Sequence, residues 1–362
     1  MAMPKFHALK ISDIRQETAD AVSIAFDIPE SLKVDYQFIQ GQYLTMKAMI
    51  NGEEIRRNYS VCVSPLDQEL RVAIKKVEGG RFSTFANETL AVGDTLDVMT
   101  PMGKFYSEVK ATQSKNYVGF AGGSGITPII SIMKTVLQVE STSQFTLFYA
   151  NKGFDSIIFR EEIEALKNTY IGRVTVHHIF SQENLETDLF NGYITTEKCR
   201  LFGELLFEPI RIDEYFICGP EPMMLSIRAA LEEMGVAKPK IHIELFSSPD
   251  KPATTVKTVK KDTKKNAGKA CKVSIRVDGD ITELDLAYDG ESILDAALKK
   301  GADLPFACKG GVCCTCRAKV VEGEVEMDVN YALEEEEVAA GFILTCQAHP
   351  RTDKVFIDFD QK

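Results

Sequence analysis

Four cysteines in the last quarter of the chain carry the most specific chemical signal. Cys308, Cys313 and Cys316 stand as C-x4-C-x2-C within CKGGVCCTC, and Cys346 follows in LTCQAHP. That spacing lets four thiolates hold the two irons of a [2Fe–2S] cluster. A structural zinc site wants two close pairs, usually C-x2-C twice, and here only Cys313 and Cys316 form one. Gly310 and Gly311 let the loop wrap closely and turn backbone N–H groups toward the sulfurs. Cys314 sits between ligands as a bystander. The chain's nine cysteines are odd in number and clustered, which favours metal over disulfides and a reducing, cytoplasmic setting.

Three earlier runs have residue types suited to phosphates and flat aromatic ligands. Arg57-Asn58-Tyr59-Ser60 is an R-x-Y-S run on a β-like stretch; a guanidinium matches a pyrophosphate and an aromatic ring covers a planar ligand. Gly79-Gly80-Arg81-Phe82-Ser83-Thr84 sets a glycine turn before a Ser/Thr-capped helix start, which makes an anion site. Tyr117–Ala121 runs into Gly122-Gly123-Ser124-Gly125-Ile126-Thr127-Pro128, a strand, a glycine-rich turn and a helix with Thr127 as N-cap and Pro128 at N1. Such a turn offers N–H groups to a pyrophosphate, although the run is neither G-x-G-x-x-G nor a Walker motif. Cys218-Gly219-Pro220 closes a further strand and opens a helix. Taken singly, each run also reads as an ordinary strand or βα turn, and Cys218 as a buried strand-end thiol. The five histidines show no metal spacing, and His177 and His178, adjacent on a strand, face opposite ways.

The order of these runs resembles that of ferredoxin–NADP+ reductase-like proteins. Residues 271–362 resemble plant-type ferredoxin, and Glu322 to Asp360, centred on GEVEMDVNYALEEEEVAAGFILTCQAHP, resemble the reductase subunits of phenylacetyl-CoA 1,2-epoxidases. The resemblance implies that Arg57 contacts the flavin phosphates, Tyr59 stacks on the flavin and Ser60 approaches its N5. Gly80, Arg81, Ser83 and Thr84 match the second flavin-phosphate segment. Gly122, Gly123, Gly125 and Thr127 match the dinucleotide turn, and Cys218, beside Gly219 and Pro220, lines the hydride-transfer site, making Ser60 and Cys218 the catalytic pair. Phe246, ending IHIELF, packs near the flavin or in the core. FAD is the expected flavin, with FMN the alternative. NADPH is expected over NADH, because no acidic residue follows the strand ending Phe148-Tyr149-Ala150, while Lys152, Ser156 and Arg160 stand ready for a phosphate. Val312 departs from the plant pattern, which has Ser before the second ligand and so one more hydrogen bond near the cluster.

These motifs need three scaffolds. Short strand-like runs fill residues 1–109 (Phe6–Ile11, Ala21–Phe26, Tyr43–Ala48, Arg57–Val63, Leu70–Val77, Thr95–Met99), and their spacing suggests an antiparallel β-barrel for the flavin. Residues 110–246 alternate apolar strands with helices over Pro128–Val139, Phe159–Lys167 and Pro222–Met234, which suggests a parallel α/β nucleotide domain. Residues 247–270 carry seven lysines and almost no large apolar side chain, the composition of a flexible linker. Residues 271–362 open on a hairpin around Asp278-Gly279 and a helix from Ser292 to Lys300, suiting a small α+β, β-grasp ferredoxin domain.

Charge is uneven. Residues 271–362 carry 19 acidic and 10 basic side chains, whereas residues 1–270 are nearly balanced at 34 and 32. An acidic ferredoxin domain repels nucleic acid and suits a basic protein face, and no run is long and apolar enough to cross a membrane. The parts imply a route: hydride from nicotinamide to flavin, single electrons to the cluster, then to a terminal oxygenase docked on the acidic module. The expected oxygenase is the diiron monooxygenase of phenylacetate breakdown. The competing expectations are a reductase for a Rieske-type aromatic-ring or steroid hydroxylase and, from a different class, a redox-sensing or structural metal module without turnover.

Overall fold

Six strands with inward-facing apolar residues form the first sheet: β1 (Phe6–Thr18), β2 (Ala21–Asp27), β3 (Tyr43–Ile50), β4 (Glu53–Ser60), β5 (Leu70–Lys75) and β6 (Thr95–Met99). They are antiparallel, in the order β4-β3-β6-β1-β2-β5. Helix α1 (Arg81–Glu88) lies between β5 and β6 in the chain and buries Phe82 and Ala86 in the same core. The chain beyond β4 returns to the opposite edge, where Val61 bridges to Val72 and the Cys62 N–H donates to the Arg71 carbonyl at 3.0 Å. That contact curls the sheet into the expected barrel around Leu9, Ile24, Leu44, Met46, Val72 and Val98. Asn51 and Gly52 both have positive φ (53° and 82°), the type I′ geometry that matches strand twist between β3 and β4. This computed structural model describes residues 4–246 and 269–361.

Five parallel strands follow: β7 (Asn116–Gly122), β8 (Gln144–Asn151), β9 (Val174–Phe180), β10 (Glu214–Gly219) and β11 (Ile241–Leu245), ordered β11-β10-β7-β8-β9. Helices α2 (Ile126–Val139), α3 (Arg160–Thr169), α4 (Thr196–Leu205) and α5 (Glu221–Glu233) cover the sheet, so the central strands are apolar throughout, as two-sided burial requires. The sequence runs did not mark α4, whose buried residues are only Cys199, Phe202 and Gly203. His177 stacks on Phe148 and Phe190, while His178 turns toward Tyr149 and Phe180, so neighbouring histidines do serve opposite faces. Barrel and α/β block share one compact unit, Phe6–Phe246.

Two helix starts differ from expectation. The glycine turn tightens into a 3-10 turn over Gly123–Gly125, so α2 begins at Ile126 with Gly125 as its cap, and Thr127 lies inside the helix donating to the Ser124 carbonyl at 3.0 Å. Helix α1 is capped by Gly80 rather than by a hydroxyl.

The second unit has its own core. Its strands are β12 (Ala270–Val277), β13 (Asp280–Ala287), β14 (Arg317–Glu322), β15 (Val325–Met327), β16 (Phe342–Leu344), β17 (Ala348–Pro350) and β18 (Lys354–Asp358). Five of them form a mixed sheet ordered β13-β12-β18-β14-β16, with β12 and β18 parallel, and β15 pairs with β17 beside it. The helix Ile293–Lys299 packs on the sheet, and Ser292 caps it by accepting from the Asp295 N–H at 3.2 Å. This is the β-grasp arrangement expected. Asp278 and Gly279, both at positive φ (48° and 84°), turn the first hairpin. The expected linker, 247–270, lies outside the described residues except for Lys269 and Ala270, and Ala270 already opens β12. Among the described residues no helix is long and apolar enough to cross a membrane.

Candidate redox site

Ser60 closes β4 at the junction of barrel and parallel sheet, and its hydroxyl donates to Glu244 Oε2 at 3.1 Å. Glu244 lies on β11 opposite Cys218 of β10 in the parallel register. The fold therefore brings the two expected catalytic residues to a common carboxylate that the motifs did not mark. Cys218 is fully buried, which pushes its thiol well up, with the Glu244 charge adding to the effect. Burial likewise pushes the Glu244 carboxyl up to about 8. Both shifts favour the proton-bearing forms of Glu244 and Cys218. This corner is a polar cluster in an apolar wall, the kind of setting that marks functional groups.

Arg57 and Tyr59 alternate along β4 and share a face. The Tyr59 ring is half-buried with one side on Phe82, 5.6 Å between centroids. Arg57 donates to the Arg56 carbonyl at 2.8 Å. In the glycine segment the Thr84 N–H donates to the Gly80 carbonyl at 3.0 Å. The Ser83 hydroxyl is engaged within the turn, accepting from the Val77 N–H at 3.1 Å and donating to the Gly80 carbonyl at 3.3 Å. A Cβ on Gly80 would meet Ser83 Oγ at 2.5 Å, so glycine is required there. Arg81 reaches back to Glu53 (2.5 Å) and the Ile50 carbonyl (3.0 Å). Phe246 is exposed rather than in the core.

The dinucleotide turns pack backbone against backbone. A Cβ on Gly125 would overlap the Cys218 carbonyl at 2.1 Å, one on Gly122 the Pro220 ring at 2.5 Å, and one on Gly219 would meet the Gly122 nitrogen at 2.9 Å. Gly123 alone faces open space, at φ 51°. Tyr149 fastens this turn to β8 by donating to the Gly123 carbonyl at 3.0 Å. Beside it, at the end of β8, both amide atoms of Asn151 are buried without a well-formed hydrogen bond. An open glycine turn with a buried, poorly bonded amide next to it fits a dinucleotide. Lys152 is exposed in the loop that follows, Ser156 closes that loop on Gly153 (3.1 and 2.7 Å), and the Arg160 guanidinium lies 4.4 Å from the Phe154 ring centroid. Sequence reasoning missed Glu183, whose carboxylate arrives from beyond β9 to accept from the Phe154 N–H at 3.1 Å.

In the second unit all four predicted ligands are buried. Cys308 and Cys313 sulfurs lie 3.1 Å apart, and Cys346 is within reach of both Cys308 and Cys316. The thiols so form a chain of close pairs, a donor set that would hold a [2Fe–2S] cluster. Contact with Cys308 and burial push the Cys313 thiol well up, so a cation is needed to hold these groups as thiolates. The Gly310 N–H points at Cys308 Sγ (3.3 Å). Thr345 ties the third ligand to the fourth, donating from its hydroxyl (3.0 Å) and its N–H (3.1 Å) to the Cys316 carbonyl. Cys314 Sγ turns away to the Ala332 carbonyl (3.1 Å), as a bystander should.

Fold and site together define a flavin- and nicotinamide-dependent oxidoreductase with a [2Fe–2S] domain. Family models agree along the chain: an oxidoreductase FAD-binding domain over residues 8–106, an oxidoreductase NAD-binding domain over 120–229 and a 2Fe-2S iron-sulfur cluster binding domain over 275–351. The chain is 46% identical over 360 residues to a subunit of the 1,2-phenylacetyl-CoA epoxidase of Escherichia coli (strain K12), covering 99% of both chains. It is 32% identical to the ferredoxin reductase component of 3-ketosteroid-9-alpha-monooxygenase of Rhodococcus rhodochrous, over 97% of this chain and 96% of the relative. In fold it is similar to phthalate dioxygenase reductase, with a TM-score of 0.59, 22% identity and 98% of each chain covered. The chain belongs to the family of oxygenase reductase components that includes this 1,2-phenylacetyl-CoA epoxidase protein.

Two outcomes follow from this geometry. Cys313→Ser should lose the cluster's visible absorption and iron while NADPH still reduces the flavin and ferricyanide still turns over, and Cys314→Ser should keep its cluster. Normal electron delivery by Cys313→Ser would show that electrons bypass the cluster. The second concerns Glu244 in the flavin-free protein. A carboxyl raised from 4.5 to about 8 favours the folded state most below pH 4.5 and loses that contribution as pH rises toward 8. Glu244→Gln, neutral throughout, should remove that slope, up to a few kcal/mol across the window. Thermal unfolding of both proteins from pH 5 to 9 reads it, and parallel pH profiles would refute the shift.

Proposed function

We infer that this chain is the reductase component of a phenylacetyl-CoA epoxidase, drawing on NADPH and delivering to a diiron oxygenase in the cytoplasm. The similarity to the Escherichia coli epoxidase protein over the full length of both chains carries the reading. When bound, FAD takes a hydride from the nicotinamide and releases single electrons toward the cluster. Arg57 neutralises the flavin's phosphates, with Gly80, Arg81, Ser83 and Thr84 shaping the second phosphate segment, and Tyr59 covers the flavin face. Ser60 and Cys218 flank the hydride path, with Glu244 holding a proton beside the Ser60 hydroxyl. Gly122, Gly123, Gly125, Thr127, Gly219 and Pro220 form the dinucleotide cradle, Phe246 packs near the flavin from beyond the end of β11, and Cys308, Cys313, Cys316 and Cys346 hold the cluster. Domain boundaries at 1–109, 110–246, a 247–270 linker and 271–362 belong to the same reading.

Docking belongs on the acidic unit. Glu334, Glu335 and Glu336 are exposed, while Glu337 turns inward to Arg317 at 2.9 Å. Exposed Tyr331, whose N–H donates to the Gly311 carbonyl at 3.0 Å, joins this patch to the cluster loop. A basic partner face suits it. Reconstitution with the phenylacetyl-CoA oxygenase should support turnover whose rate falls as salt rises from 50 to about 500 mM. Turnover with a Rieske-type steroid oxygenase instead would favour the second reading, which the 32% relative supports.

For the dinucleotide, Lys152, Ser156 and Arg160 favour a 2′-phosphate, and the engagement of Glu183 with the Phe154 N–H keeps that carboxylate from a ribose hydroxyl. NADPH should therefore give the higher kcat/KM, and Glu183→Gln should widen the ratio about threefold or more by removing a nearby negative charge. A wild-type preference for NADH would refute this assignment.

A further inference from the structure

Gln347 follows the last cysteine, and its side-chain amide is turned back over the cluster loop. Nε2 donates to the Lys309 carbonyl at 2.9 Å and to the Cys346 carbonyl at 3.1 Å, and stands 3.7 Å from Cys346 Sγ. Carbonyls only accept, so the nitrogen rather than the oxygen must face this way. The amide is also clamped. Its backbone N–H donates to the Leu344 carbonyl at 2.9 Å, and its backbone carbonyl accepts from Asp328 at 2.8 Å. Lys309 is itself pinned: it adopts a left-handed φ of 50°, and its Nζ is held by Asp295 at 2.6 Å. The Gln347 Cγ would lie 3.2 Å from a Cβ placed on Gly311, so the glycine admits the side chain. Val312, before Cys313, brings no side-chain donor to the other end of the loop.

We propose that Gln347 is a positioning residue that sets the potential of the [2Fe–2S] centre by aiming an amide N–H at the Cys346 sulfur. This rests on the reading that the four cysteines hold the cluster. Reduction adds one electron and no proton, so the negative charge on the cluster and its thiolates rises by one. A fixed donor at sulfur stabilises that added charge more than it stabilises the oxidised form, and hydrogen bonds to sulfur are a recognised lever on such potentials. One N–H is taken by the Lys309 carbonyl and the other is shared between the Cys346 carbonyl and Cys346 Sγ, and the two carbonyls keep the amide from rotating away, so its effect does not average out.

The test is a redox titration of the full-length holoprotein, following the electron paramagnetic resonance signal of the reduced cluster. Gln347→Leu removes the donor; Gln347→Glu keeps the shape but sets an oxygen against sulfur. In Gln347→Leu the reduced form should become about tenfold less favoured, a fall of ~59 mV for a one-electron couple, and Gln347→Glu should fall at least as far. An exchangeable-proton coupling to the reduced cluster, resolved by electron–nuclear double resonance in H2O against D2O, should weaken in both. The wild-type cluster signal tests the ligand assignment separately, so its absence would sink that reading rather than this one. Variants that hold a cluster at the wild-type potential would overturn the proposal. So would failure of both to hold any cluster, since the side chain would then be a strut for the loop.

Discussion

Ser131, in the first half of α2, donates its hydroxyl to the Val63 carbonyl at 2.6 Å, three residues beyond Ser60. One turn on, Thr135 donates to the Ser64 hydroxyl at 3.1 Å, and Gln138 to Asp67 at 3.0 Å. Lys134, largely buried between them, joins Asp67 at 2.5 Å to Glu162 of α3 at 2.6 Å. Burial alone would drive the Lys134 pKa down, and the two carboxylates reverse that. A cation enclosed this way is tolerable only because it is paired on both sides. The consequence is geometric. The segment leaving the R-x-Y-S strand is fastened to a helix whose first residues follow the glycine turn, and about 9 Å of rigid helix separates turn from clasp. Apolar packing continues the seam, with Phe105 edge-on to Phe216 at 5.4 Å and Cys62 and Ala73 in the same core as Ile129 and Ile132. The R-x-Y-S strand and the glycine turn therefore belong to one body. Hydride transfer tolerates little misplacement, and this seam builds the approach in advance.

The cluster unit solves a different problem. It receives and releases electrons one at a time, so what it must control is the energy of a charge rather than the approach of two rings. Its devices are accordingly local: the Gly310 N–H on Cys308, the Thr345 tie from Cys316 to the strand bearing Cys346, and the clamped amide of Gln347. Its core is built wholly from residues beyond 270. Separating the two kinds of control lets the potential of one centre change without disturbing hydride geometry in the other.

The same division explains what could be read from the residues alone. The cysteine spacing, the R-x-Y-S run and the glycine turns are short-range patterns, because each is made of neighbours in sequence. The two I′ turns at Asn51-Gly52 and Asp278-Gly279 are legible for the same reason. Glu244 was not, because its partner Ser60 lies 184 residues away and its neighbours IHIEL read only as a short strand. Glu183 was hidden likewise: only β8 and β9 lying parallel bring its loop under Phe154. Thr127 misled because Thr-Pro is a strong helix-start signal, yet the glycine turn itself winds into a 3-10 turn and starts the helix earlier. Helix α4 escaped because a lone Cys and Phe on one face make too sparse an apolar stripe to show a period.

That Glu244 sits on β11 has a further physical consequence. Among the described residues β11 is an edge strand, paired with β10, and it is the last strand of its unit. Its five residues pair in parallel register with Tyr215–Gly219 of β10, which in turn lies beside β7. The carboxyl then reaches Ser60 only if the barrel is also seated, since Ser60 is held by β3 and by the chain returning through Val61. The corner thus depends on both halves of the unit being in place. Otherwise Ser60, Cys218 and Glu244 are three ordinary side chains on separate strands. A site divided in this way between barrel and parallel sheet is presented by neither half alone, because Ser60 comes from one and Cys218 and Glu244 from the other.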